Sequence, residues 1–171
     1  AEQVLVNSFE KDELRTEFMK VYKSYFDFIL SQGVDLLGSQ PNKGNIAGGI
    51  STIEEKAMGN IQKIGRAKIH GILDTAEAPR EPGLYFMNTS SAAADLLTAM
   101  AAAGAAVQLF TTGKGNNVGT AISPVIKICA NRETCENSAE NIDVDISGII
   151  YGGSSLSSGA DAIMECMARV C

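Results

Sequence analysis

The 171-residue sequence contains a single histidine, His70, and its four cysteines, Cys129, Cys135, Cys166 and Cys171, have five and four residues between the members of each pair. Neither spacing matches a zinc motif, so the chain by itself cannot build a conventional transition-metal site, and the cysteines are expected as reduced thiols. His70 lies in A-K-I-H-G-I-L, a run that reads as a strand, and is taken as structural. Clustered positive charge is also missing. The formal net charge is -6 and the lysines and arginines are scattered, which argues against nucleic acid and against a membrane surface as partners. No stretch reaches the roughly 18 apolar residues that would span a bilayer. The segment Ala1 to Phe9 lacks the charged-then-apolar order of a signal peptide, which favours the cytoplasm. Neither the phosphate-loop pattern nor G-x-G-x-x-G occurs, and no serine sits in a nucleophile elbow.

What remains is an ordinary globular composition, 45% hydrophobic and 20% charged, long enough for one domain with its own core. Apolar residues at Leu14, Phe18, Val21, Tyr22, Tyr25, Phe28 and Ile29 recur at helical spacing, with Asn7 or Ser8 available as N-cap and Gly33 as a stop. The aromatic stripe calls for a broad partner, a sheet face or another part of a larger protein. The stretch from Gly38 to Gly49 is too rich in glycine for a regular element and is expected as a loop. Helical period returns over Ile53, Ala57, Met58, Ile61 and Ile64 and stops at Gly65. Beyond it, 67–73, 84–87, 106–111, 125–129 and 142–146 read as strands, 91–103 as a helix, and Ser158 as the cap of a last helix. The expected fold is therefore α/β, a mostly parallel sheet flanked by helices in a Rossmann-like three-layer architecture. Its parts are an amphipathic helix over 1–38, a glycine-rich loop and helix over 39–65, and a βαβ core over 66–171, all in a single domain 1–171.

Two segments carry chemistry. In the first, Lys43 to Gly65, glycine turns feed a helix start, where free N–H groups and the positive end of the helix dipole favour an anion. A capping box, Ser51-x-x-Glu54 or Thr52-x-x-Glu55, is the plainer reading of the same residues. On a helical wheel Glu54 lies towards the apolar stripe, which leaves Glu55, next to Lys56, as the freer carboxylate. The second segment is T-T-G-K-G-N-N-V-G, Thr111 to Gly119, directly after a buried strand. In open parallel sheets ligands bind beyond the carboxyl ends of the strands, and this loop is placed to bind one.

These segments, with L-Y-F-M-N-T-S between them, resemble the C-terminal region of the altronate and galactarate dehydratase family, which includes sulfolactate lyase relatives. The similarity runs through most of the chain: G-N-I-A-G-G, the Glu55-Lys56 pair, Gly59 and Gly65, V-Q-L-F-T-T-G-K-G, P-V-I-K and D-V-D-I. Lys43, Ser90, Ser91, Asp145 and Ser147 depart from the family pattern. The resemblance implies a hydro-lyase that removes water from a sugar acid to give a 2-keto-3-deoxy acid, with a divalent metal of the Fe2+ type whose ligands lie mostly outside this chain. It further implies catalytic or supporting roles for Glu55 and Lys56. Substrate contacts would come from Asn45, Gly48, Gly49, Thr111, Thr112, Gly113 and Lys114. Family members are longer, so N-terminal dehydratase domains or a second subunit are expected as partners, with a homo-oligomer as a further option. The alternative is a non-catalytic module on the same fold that binds a sugar acid or small anion.

Overall fold

The computed structural model describes residues 1–34 and 40–171. The predicted loop residues Gly38 and Ser39, and the end of the first predicted segment, lie outside the described residues. The described residues divide into two compact units, residues 1–74 with 79–88 and residues 75–78 with 89–171. Among the described residues the strands pair in parallel, in keeping with the mostly parallel sheet expected, and helices flank them; they form two small sheets, of two and three strands.

In the first unit, α1 (Glu2–Ser8) ends before α2 (Asp12–Ser31) begins. Asn7 and Ser8 are thus the last residues of α1 and do not cap the long helix, whose N-cap is Lys11. The break has a tertiary cause. Phe9 is fully buried and forms a parallel bridge with Ile69, and the Glu10 N–H donates to the Ile69 carbonyl at 3.0 Å. Backbone pairing with a strand demands extended geometry, which interrupts the helix. Phe9, Phe18 and Ile69 form the core of the unit. The Phe18 ring stands 5.2 Å from Phe9 and 5.1 Å, edge-on, from Phe86. The predicted glycine loop holds a short helix, α3 (Lys43–Ala47), followed by α4 (Ile53–Ile61), a 3-10 turn over Gln62–Ile64 and Gly65 at φ 65°. Strands β1 (Ile69–Leu73) and β2 (Leu84–Met87) complete the unit. His70 accepts from the Leu84 N–H at 3.3 Å and lies 3.6 Å from Glu10.

The second unit runs α5 (Ala93–Ala102), β3 (Gln108–Thr111), β4 (Val125–Cys129), α6 (Arg132–Asn137), β5 (Val144–Asp145), α7 (Gly148–Tyr151) and α8 (Leu156–Val170). The sheet order is β3-β4-β5. Alternation along β4 sends Ile126 and Ile128 to one face, where they join Val144 and Cys166 of α8 in a core. Gln108 is buried and donates to the Leu97 carbonyl of α5 at 3.0 Å. Helix α8 is capped by Ser155, not by the expected Ser158. Ser158 is the third helical residue and completes the capping box. Among the described residues no helix is long and apolar enough to cross a membrane.

Candidate ligand-binding site

The first glycine-rich segment folds in on itself. Asn42 and Asn45 form a reciprocal capping box at the start of α3, with the Asn45 N–H donating to Asn42 Oδ1 at 2.9 Å. At the other end the Gly48 N–H donates to the carbonyls of Gly44 and Asn45, and that of Gly49 to Ile46. Gly49 adopts φ 97°, a conformation that strongly favours glycine, and so turns the chain out of α3. Gly48 and Gly49, expected to present backbone to a ligand, thus spend their N–H groups closing a helix. The Lys56 ammonium, half-buried, donates to Asn45 Oδ1 at 3.0 Å and to Gln40 Oε1. Lys56 and Asn45 are thus brought together, and Gln40, for which the sequence gives no signal, joins them.

Glu55 is not the freer carboxylate. Its Oε2 accepts from both the N–H and the hydroxyl of Ser51, each at 2.8 Å, while the Glu55 N–H donates to Thr52 Oγ1 at 3.1 Å. These bonds, the Ser51 N–H first and its hydroxyl second, hold the Glu55 carboxyl below its ordinary range. A helical wheel sets Glu55 away from the apolar stripe but contains no chain before the helix. Ser51 turns back over the first turn, so the anion that the helix start favours is supplied by the protein itself.

The second segment is arranged the other way. The Thr112 N–H extends the strand ladder by donating to the Ile128 carbonyl at 2.9 Å. Next, the Gly113 carbonyl accepts two bonds, from Asn131 Nδ2 at 3.0 Å and from Thr134 Oγ1 at 2.8 Å. Gly115 lies at φ 79°, Asn116 Oδ1 accepts from the Val118 N–H at 2.8 Å, and Thr120 closes on Ser123. Among the described residues, the N–H groups of Gly113, Lys114, Gly115, Asn116 and Asn117 have no protein acceptor. Thr111, Gly113 and Lys114 are exposed and Thr112 is half-buried. The loop is thus fixed by its carbonyls and by a turn, and it leaves a run of donors beside one ammonium at the C-terminal end of β3, a setting that suits an anion.

Lys127 lies under this loop. It is 6% exposed, in the middle of β4; its ammonium donates to the Val118 carbonyl and stands 5.6 Å from the centre of the Phe110 ring. In the sequence it stands inconspicuously within P-V-I-K. The available signal was a charged residue inside an otherwise apolar strand. Beyond β4 and β5 lie further polar groups. Asp145 accepts from the Ser147 N–H at 2.7 Å, and that bond, with lesser help from Cys135 and Arg132, keeps its carboxyl below the ordinary range. Arg132 stacks on Tyr151 at 4.5 Å. Burial, reinforced by Asp145 and Cys129, pushes the Cys135 thiol up to about 12, so it is a packing group and not a nucleophile at neutral pH. Among the described residues no group of three or more His, Cys, Asp or Glu side chains could hold a metal ion.

The fold and this loop define an α/β domain with an anion-suited rim at the carboxyl ends of parallel strands. The chain belongs to the D-galactarate/altronate dehydratase family and matches its C-terminal domain over residues 1–171. It is 48% identical over 160 residues to the (2R)-sulfolactate sulfo-lyase subunit beta of Chromohalobacter salexigens, covering 92% of this chain and 41% of that protein. Over 152 residues it is 29% identical to the altronate dehydratase of Escherichia coli, covering 89% of this chain and 30% of that one. To the galactarate dehydratase (L-threo-forming) of Escherichia coli it is 31% identical over 128 residues, 75% of this chain and 24% of the relative. The family is one of lyases, and the chain spans less than half the length of these relatives.

Proposed function

We propose that this chain is the C-terminal, anion-holding part of a lyase that acts on a small 2-hydroxy acid bearing a leaving group on C3. The observation that carries the reading is the Gly113–Asn117 run of unengaged N–H groups beside Lys114. Altronate, galactarate and sulfolactate share one reactive unit, a hydroxyl on C2 next to a carboxylate and a group on C3 that can depart. Loss of the C2 proton and cleavage of the bond from C3 to its hydroxyl, which departs protonated as water, or to its sulfonate, which departs as sulfite, leave an enol, which becomes a 2-keto acid when C3 takes up a proton and the enol hydroxyl gives one up. The C2 proton is removable only if the negative charge moving onto the carboxylate is held. Preformed N–H donors and a cation aimed at those oxygens do this, and such donors are typically worth about 3 kcal/mol each in a transition state.

In this reading Thr111, Thr112, Gly113 and Lys114 bind the carboxylate. Asn45 and Lys56, already linked, make polar contacts in the first unit. Glu55 is assigned to the cap of α4 and not to catalysis, and Gly48 and Gly49 to the closing turn of α3. The divalent metal implied by the resemblance does not fit the donors described here, because they hold no cluster of metal-ligating side chains. Its ligands would come from other polypeptide, and no step above runs through it.

The sugar acid remains the first substrate class. The 48% identity to a sulfo-lyase subunit, against 29% and 31% for the two dehydratases, favours sulfolactate as a second. Incubating the complete protein, with any partner subunit, with altronate, galactarate and (2R)-sulfolactate separates them. Keto acid without sulfite identifies a hydro-lyase, and keto acid with equimolar sulfite a sulfo-lyase. Binding of these acids without turnover of any would sink the lyase reading and leave a binding module.

A further inference from the structure

Beyond Phe18 the aromatic face of α2 is only partly covered within its own unit, where Tyr22 is hydrogen-bonded to Glu2 of α1. Phe18 is buried in the core, but the stripe it begins runs outwards. The Tyr22 ring lies 6.4 Å from Phe18 and the Phe26 ring 6.2 Å from Tyr22, both stacked. Beyond them Tyr25 is 51% and Phe28 59% exposed. Several exposed aromatic rings on one helix mark a binding surface. Between it and α4 lies a cleft of about 270 Å³, walled by the rings of Tyr22, Tyr25 and Phe26 and by α4, with Gln40, the Ala1 terminus and the carboxylates Glu2 and Glu54 also on its lining. Gln40 is also the acceptor of the Lys56 ammonium, which joins the cleft to the Lys56–Asn45 pair.

We propose that this face is the seat of the N-terminal part of a galactarate/altronate-dehydratase-type polypeptide, and that the seated segment fills the cleft and reaches Gln40 beside Lys56. The occupant follows from proportion. The chain matches the C-terminal domain of its family and covers 41% of one relative and 30% of another, so most of a family protein lies N-terminal to what is described here. A lipid surface fits less well, because the rest of α2 mixes Glu13, Glu17 and Asp27 with Lys20 and Lys23, whereas helices that lie on membranes carry a predominantly basic polar face. The inference rests on the family reading for the identity of the occupant, and its test reads contact and not turnover.

The test uses the complete protein, with the N-terminal family region present in the same chain or as its separate subunit. Benzoylphenylalanine is placed at Phe28 and, in a second preparation, at Ile53 in the cleft wall; each is irradiated and its crosslinks are mapped by mass spectrometry. Both positions are expected to crosslink to the N-terminal region. Crosslinks that stay within residues 1–171 of the same chain, that join two copies at position 28, or that fail to form would overturn the proposal. A crosslink from position 28 without one from position 53 would overturn the reach to Gln40. Phe28→Asp with Tyr25→Asp should release the N-terminal region to limited proteolysis at least ten times faster, and an unchanged rate would count against the seat.

Discussion

The two glycine-rich segments look alike in sequence and behave in opposite ways. In the first segment the donors of the turns are consumed locally: Asn45 by Asn42, Gly48 and Gly49 by α3, and Ser51 by Glu55. From Gly113 to Asn117 the donors stay open, because anchoring goes through the carbonyls of Gly113 and Val118 instead. Glycine content shows that a segment can turn tightly. Whether the turn presents donors to a ligand depends on which of its groups the rest of the chain engages, and that is decided by residues distant in sequence.

The strongest way to break this comparison is to cut the carbonyl anchors. Asn131→Ala with Thr134→Val removes both donors from the Gly113 carbonyl. Each such bond is worth about 1 kcal/mol net, so the pair should weaken the binding of galactarate or inorganic sulfate to the complete protein by about 30-fold in calorimetric titration. Unchanged affinity would mean that the loop is not the anion site. Lys127→Met leaves the Val118 carbonyl without its donor in a buried setting. It should lower stability by about 1 to 2 kcal/mol in urea unfolding, with a smaller loss of affinity. A neutral result would show that the buried ammonium contributes nothing to holding the loop.

A matched pair sharpens the contrast. Gly49 and Gly115 both adopt positive φ, 97° and 79°. Alanine at either should therefore cost about 1 kcal/mol of stability through backbone strain. Only Gly115→Ala should also weaken anion binding, because only there do the neighbouring N–H groups lack a protein acceptor. If Gly49→Ala weakened binding as much, the two loops would be functionally equivalent and the distinction drawn from their hydrogen bonds would fail.

Much of the architecture was legible beforehand because it rests on local pattern. The runs at 84–87 and 125–129 became β2 and β4 with the same limits, and Gly65 ended its helix through positive φ. What escaped was set by contacts between distant residues. The break before α2 depends on Phe9 pairing with Ile69, 60 positions away in the sequence. The division into two sheets depends on which strands meet, on which hydrophobic period is silent. In the candidate site, the juxtaposition of Asn45 with Lys56 fitted their common segment. The anchoring of Gly113 by Asn131 and Thr134, and the burial of Lys127 beneath Val118, required the fold. Glu55 was misread because a helical wheel describes a helix without the turn that precedes it.

The smallest expected effect concerns Glu55 and probes the closed character of the first loop. Its carboxyl is held below the ordinary value of about 4.3 by Ser51. A carboxyl depressed in the folded state adds stability that is present above the ordinary value and is lost as pH falls through the folded value. Glu55→Gln keeps an oxygen that can accept from Ser51 but removes the charge from the start of α4, so it should lower the melting temperature slightly at pH 7. The difference from the unsubstituted protein should shrink as pH drops below about 4, because protonation then removes the same charge from the native residue. Turnover at neutral pH should not change, since the capping carboxylate is given no part in the chemistry. A Glu55→Gln variant as stable as its parent at pH 7 but inactive would return Glu55 to the catalytic group, and the first loop would then be open in function although closed in hydrogen bonding.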